Sequence, residues 1–120
     1  MRRILIIDDE GTNQRLFKAI LEAKGHETYQ AYNGAEGVKI ARESMPDLIL
    51  MDIQIPEIDG IAAFKILQSE PLTMNIPVIA LTSYAMSGDK EKFLSLGFRD
   101  YLAKPISISE FVELVNSSCS

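Results

Sequence analysis

Three apolar runs punctuate the chain: Ile4-Leu5-Ile6-Ile7, Leu48-Ile49-Leu50-Met51 and Val78-Ile79-Ala80-Leu81. Each gives way to polar side chains, Asp8-Asp9, Asp52 and Thr82-Ser83 respectively. Short unbroken runs rich in branched residues predict strands buried on both faces, the kind found in parallel sheets covered by helices. His26 to Ala31 is more polar and Asp100 to Ala103 is shorter, so both predict edge strands. The segments between them carry apolar residues at helical spacing. Thr12 or Asn13 is placed to cap a first helix with Leu16, Phe17, Ile20, Leu21 and Ala23 inward, and Gly25 to end it. Asn33 and Glu36 form a capping-box pattern ahead of Val38, Ile40 and Ala41, with Pro46 barring continuation. After the loop Ile55 to Gly60, a third helix carries Ile61, Phe64 and Leu67. A fourth runs from Ser87 to Leu96, with Phe93 and Leu96 inward, and stops at Gly97. Ser107 and Glu110 repeat the capping box for a fifth, with Ile108, Phe111, Val112 and Val115 on one face.

Five strands alternating with helices predict an α/β doubly wound fold, a five-stranded parallel sheet with helices on both faces. Placing the apolar runs centrally and the two weaker strands at the edges gives the order 2-1-3-4-5, that of flavodoxin-like folds. At 120 residues, residues 1–120 are expected to form one domain with no output domain attached. Twelve basic against seventeen acidic residues give a net charge of −5. With no basic block, nucleic acid and membrane surfaces are not the expected partners. The single cysteine, Cys119, allows neither an internal disulfide nor a CxxC pair, and a reducing, cytoplasmic location fits. Asp8-Asp9-Glu10 cuts the first apolar run too short for a signal peptide or membrane span.

In such sheets the carboxyl edge is where ligands bind, and the strand ends deliver Asp8, Asp9, Asp52, Thr82 and Lys104 to it. Acids at strand ends also cap helices, but capping does not call for a lysine on a neighbouring strand. Crowded carboxylates either share a proton or bind a hard cation. Magnesium suits oxygen ligands and bridges to phosphate, and a carboxylate can itself attack phosphorus. Lys104 and Thr82 would then meet phosphoryl oxygens. Other functions fit less well. The glycines match neither GxGxxG nor GxxxxGK[ST]; a flavin-binding electron carrier would need a neutral phosphate loop where Asp8-Asp9-Glu10 stands; and a magnesium phosphatase would need an acid where Gln54 stands.

Ile6-Ile7-Asp8-Asp9-Glu10, Leu50-Met51-Asp52-Ile53-Gln54-Ile55-Pro56, Asp59-Gly60, Ala80-Leu81-Thr82-Ser83 and Tyr101-Leu102-Ala103-Lys104-Pro105-Ile106, in this order and spacing, resemble the response-regulator receiver domains of two-component signalling. The resemblance covers essentially the whole chain and extends to stand-alone receivers and receivers of hybrid histidine kinases. It implies a phosphoryl-accepting switch rather than an enzyme acting on other substrates: it catalyses only its own phosphorylation and dephosphorylation. Asp52 would take the phosphoryl group from a histidine kinase or histidine phosphotransfer protein. Asp8, Asp9, Asp52 and the Gln54 carbonyl would hold Mg2+. Thr82 and Lys104 would bind the phosphoryl oxygens, Tyr101 would swing inward with Thr82, and the Lys104-Pro105 peptide would be cis. A downstream protein target would then read the face made by the fourth helix, fifth strand and fifth helix. Gln54 and Tyr84 match positions bordering the path of the hydrolytic water. If Tyr84 shields the site, Tyr84→Ala is expected to shorten the lifetime of the phosphoryl group several-fold, measured as the dephosphorylation rate; an unchanged or slower rate would rule shielding out.

Overall fold

The computed structural model describes residues 2–53, 60–82, 89–104 and 106–119. Gln54, Asp59, Ser83, Tyr84, Ser87 and Pro105, all singled out in the sequence, lie outside the described residues. The elements alternate as expected: β1 (Arg3–Ile7), α1 (Gly11–Ala23), β2 (Glu27–Ala31), α2 (Gly34–Ser44), β3 (Leu48–Asp52), α3 (Gly60–Ser69), β4 (Val78–Thr82), α4 (Asp89–Leu96), β5 (Asp100–Ala103) and α5 (Ile108–Cys119). The five strands pair in parallel in the order β2-β1-β3-β4-β5. This is the flavodoxin-like order, with the three apolar runs at the centre.

Alternation along the central strands divides the core into two layers. Ile4, Ile6, Leu48, Leu50, Ile79 and Leu81 pack with Phe17 and Leu21 of α1 and with Phe111 and Val115 of α5. Leu5, Ile7, Ile49, Met51, Val78 and Ala80 pack with α2, α3 and α4 through Val38, Ala41, Ala63, Phe64 and Phe93. Both faces are thus covered, which explains why these strands read as continuous rather than alternating hydrophobic runs. On the first face Phe17 and Phe111 stack with centroids 4.9 Å apart, joining α1 to α5. On the second, Phe64 stacks on Phe98 at 3.8 Å. Burying side chains of this size contributes roughly 1.5–3 kcal/mol each.

Local signals held in part. Asn33 Oδ1 accepts the Glu36 amide at 2.8 Å, and Glu36 reaches back to the Tyr32 amide at 2.9 Å. Gly25 and Gly97 follow α1 and α4 with φ of 87° and 115°, the left-handed region that ends a helix. The α1 cap is different from that expected. The helix begins at Gly11 after Glu10, with no side-chain cap, because the Asn13 amide is engaged by the Asp8 carboxylate. The Ser107 cap is also weak, its Oγ lying 3.5 Å from the Glu110 amide. Leu16, Ala23 and Ile108, expected inward, are exposed, Leu16 by 43% and Ile108 by 56%. The buried stripe of α1 is Gln14, Phe17 and Leu21, and Leu16 lies about 100° around the helix from Phe17.

Gly60 ties the fold to the end of β3. A Cβ there would lie 2.5 Å from the Asp52 carbonyl oxygen and 2.6 Å from Ile53 Cα, both rigid main-chain atoms. The Gly60 amide donates to the Ile53 carbonyl at 3.1 Å, so α3 starts in main-chain contact with the strand that carries Asp52. Gly60→Ala is therefore expected to destabilise the protein by about 2–3 kcal/mol, read as a lowered urea midpoint; an unchanged midpoint would show that the contact yields freely.

Candidate functional site at the carboxyl edge

Parallel register assembles the site. Ile7 pairs with Met51, Asp52 with Leu81, and Thr82 with Ala103. Asp8, Asp52, Thr82 and Lys104 therefore stand side by side where four adjacent strands end. Continuing the alternation, Asp8 shares a face with Ile4 and Ile6, Asp52 with Leu48 and Leu50, and Lys104 with Leu102, all facing α1 and α5. Thr82 takes the opposite parity, shared with Val78 and Ala80, as does Tyr101.

The ion pairs follow that parity. Lys104 Nζ donates to Asp52 Oδ2 at 2.9 Å and lies 3.6 Å from Asp8 Oδ2. Asp8 is fully buried and Asp52 is 2% exposed, while Asp9 is exposed. The Glu10 amide donates to Asp8 Oδ1 at 2.9 Å and the Asn13 amide to Oδ2 at 3.2 Å. Burial pushes the Asp8 carboxyl up to about 6; the Glu10 amide, Lys104 and Asn13 pull it down, and the Asp52 charge adds to the rise. For Lys104, burial works against the ammonium. The hydrogen bond to Asp52 and the charges of Asp8, Asp52 and Glu10 outweigh it, leaving the group above its ordinary value. The Asp8 carboxylate thus relies on nearby positive charge to stay ionised.

Lys104 brings one positive charge to a group of three acids. Oxygens from Asp8, Asp9 and Asp52 all lie within 4.8 Å of one another, and an all-oxygen, anionic donor set suits a hard divalent cation such as magnesium. The set therefore fits the metal that the sequence implies. The structure brings together Asp8, Asp9, Asp52 and Lys104. Thr82, 2% exposed, borders them and is tied to Lys104, whose amide donates to the Thr82 carbonyl at 2.7 Å. Tyr101 pairs with Ala80, one pleat below Thr82 on the same face. It is half-buried against Phe93, ring centroids 5.9 Å apart. Gln54 and the Lys104-Pro105 peptide lie outside the described residues. Sequence reasoning missed Asn13 as a carboxylate partner and Gln14 altogether. The signal for Gln14 was present: a glutamine three and seven residues before Phe17 and Leu21 falls on the buried stripe.

The chain resembles known proteins along nearly its whole length. The profile of the response regulator receiver domain family matches residues 4–116. The polar-differentiation response regulator DivK of Brucella anthropi is 43% identical over 97% of this chain and 94% of its own length. A receiver domain of a Francisella response regulator superposes with a TM-score of 0.92 at 32% identity, covering 99% of this chain and 97% of that one. The receiver domain of a sensor histidine kinase from Pseudomonas aeruginosa, solved with a magnesium ion coordinated in its active site cleft, superposes at 0.89 with 32% identity over 98% and 97% of the two chains. Among the described residues no helix is long and apolar enough to cross a membrane. The chain belongs to the response regulator receiver domain family of two-component signalling.

Proposed function

We propose that the chain is a phosphorylation-controlled switch in which Asp52 accepts a phosphoryl group from the phosphohistidine of a histidine kinase or histidine phosphotransfer protein in the cytoplasm. The observation that carries this reading is the Lys104 ammonium held 2.9 Å from Asp52 Oδ2 and 3.6 Å from Asp8 Oδ2, beside a cluster of acids that fits a cation. An Asp52 oxygen bonds to phosphorus as the bond from phosphorus to the donor imidazole breaks, and the electron pair leaves with the imidazole nitrogen. Asp8, Asp9, Asp52 and the Gln54 carbonyl would hold magnesium, which when bound neutralises charge on the phosphoryl oxygens. Lys104 exchanges its contact with Asp52 for a phosphoryl oxygen. The Thr82 hydroxyl takes another, and its move opens space on the face it shares with Tyr101. The surface made by α4, β5 and α5 then changes its affinity for a downstream protein target, which requires that the target bind the two states differently. Turnover of other substrates is not part of this role.

Incubation with a small phosphodonor and magnesium is expected to add one phosphoryl group to the unmodified protein and none to Asp52→Asn, read by intact mass; no adduct on the first, or equal adducts on both, ends the assignment. Acidity is expected to weaken magnesium binding. The cation needs the Asp8 carboxylate, whose pKa is raised to about 6, so protons compete below that value and not above it. Between pH 6.5 and 5 the magnesium affinity should fall about five- to tenfold, while between pH 7 and 8 it should stay level. Calorimetric titration across this range checks the prediction, and a flat profile down to pH 5 contradicts it.

A further inference from the structure

Gln14 is fully buried on the first part of α1, yet nothing in the phosphoryl chemistry uses it. Its amide nitrogen lies 2.8 Å from the Ala31 carbonyl oxygen, 3.0 Å from that of Ile6 and 3.1 Å from that of Asp8. Three carbonyls around one end of the amide identify that end as nitrogen, since an oxygen there would face three like dipoles. These carbonyls sit where the ladder between β1 and β2 runs out. The last paired residues are Ile7 and Ala31, and beyond them the Asp8 amide donates to the Ala31 carbonyl at 3.0 Å. Gln14 fastens the chain at the point where it leaves the sheet and enters the acidic cluster.

The other end of the same amide argues against a role in stability alone. Gln14 Oε1 is buried with no hydrogen-bond donor among the described residues. A buried polar atom without a partner is costly, and an apolar side chain of equal length would avoid that cost. What an apolar chain would not do is hold the three carbonyls. The preceding residue completes the arrangement: Asn13 donates to Asp8 Oδ2 at 3.2 Å. Consecutive side chains of α1 thus grip the carboxylate of Asp8 and the peptide behind it.

We propose that Gln14 is a positioning residue, fixing the main chain at Asp8 so that the acidic cluster presents its oxygens in the arrangement a divalent cation takes. This rests on the cation-binding part of the function proposed above. Gln14 is not itself a ligand, because its nitrogen is a donor turned toward carbonyls. Partners of this kind behind a metal ligand typically change affinity by 10–100-fold when removed.

The test replaces Gln14 by methionine, which keeps length and bulk and removes the donors. Magnesium titration without any phosphodonor is expected to show binding about tenfold weaker in Gln14→Met, with a urea midpoint close to that of the unmodified protein. With phosphodonor added, the half-saturating magnesium concentration should rise while the maximal rate is kept. An unchanged magnesium midpoint in a folded variant overturns the proposal, and so does a lowered maximal rate with unchanged half-saturation, which would mark a merely structural role. If Gln14→Met does not fold, the unmodified protein still decides. Its Gln14 side-chain amide protons should exchange slowly with solvent and shift during magnesium titration with the midpoint of the Asp8 backbone amide; fast exchange or stationary signals refute the assignment. Absence of any magnesium binding by the unmodified protein would instead overturn the cation reading on which the proposal stands, a result separable from failure of the Gln14 contact.

Discussion

Asp8 and Asp52 are two carboxylates with almost no access to water, and the Lys104 ammonium lies between them. Charges removed from water are expensive unless they are paired and hydrogen-bonded, and much of the architecture meets that requirement. β1, β3 and β5 bring the acids and the lysine to one edge in register. The Glu10 amide and Asn13 satisfy the Asp8 oxygens. The compensation is incomplete, as the upward shift of Asp8 shows, and the deficit of positive charge is what suits the edge to a cation. A fully neutralised edge would be more comfortable and less useful.

The sheet separates two tasks. Asp8, Asp52 and Lys104 share the parity of strand residues that face α1 and α5, whereas Thr82 and Tyr101 share the parity that faces α2, α3 and α4. The charged trio is therefore anchored on the side where Phe17 stacks on Phe111. The threonine and tyrosine lie on the side where α4 packs through Phe93. The two groups thus rest on different layers of the core.

The strand order was legible because complete burial forces the sequence: strands covered on both faces admit no polar position, as Leu48 to Met51 illustrate. The edge residues were legible for the related reason that polarity returns abruptly where each strand ends. The helices were less transparent. Leu16 and Ile108 are apolar at plausible spacing yet exposed, since a helix has several neighbouring faces and only packing selects one. Gln14 was hidden by the opposite effect. A polar residue within a buried stripe is invisible to hydrophobic periodicity, and its partners are carbonyls of β1 and β2 that only the folded sheet places near it. Asn13 is the instructive intermediate: its type suggested a helix cap, and its side chain does hold an acceptor near the helix start, but that acceptor is the Asp8 carboxylate.

The Asp52 to Lys104 contact spans 52 residues, and this distance along the chain has a kinetic consequence. Parallel strands joined by crossovers make no local pairs, so loop-closure entropy must be overcome before each contact is gained. Lys104 lies just beyond the last strand to be synthesised. During synthesis the acids of β1 and β3 are therefore complete long before their counter-charge emerges, and the docking of β5 brings that charge to the edge at the same moment as it completes the sheet.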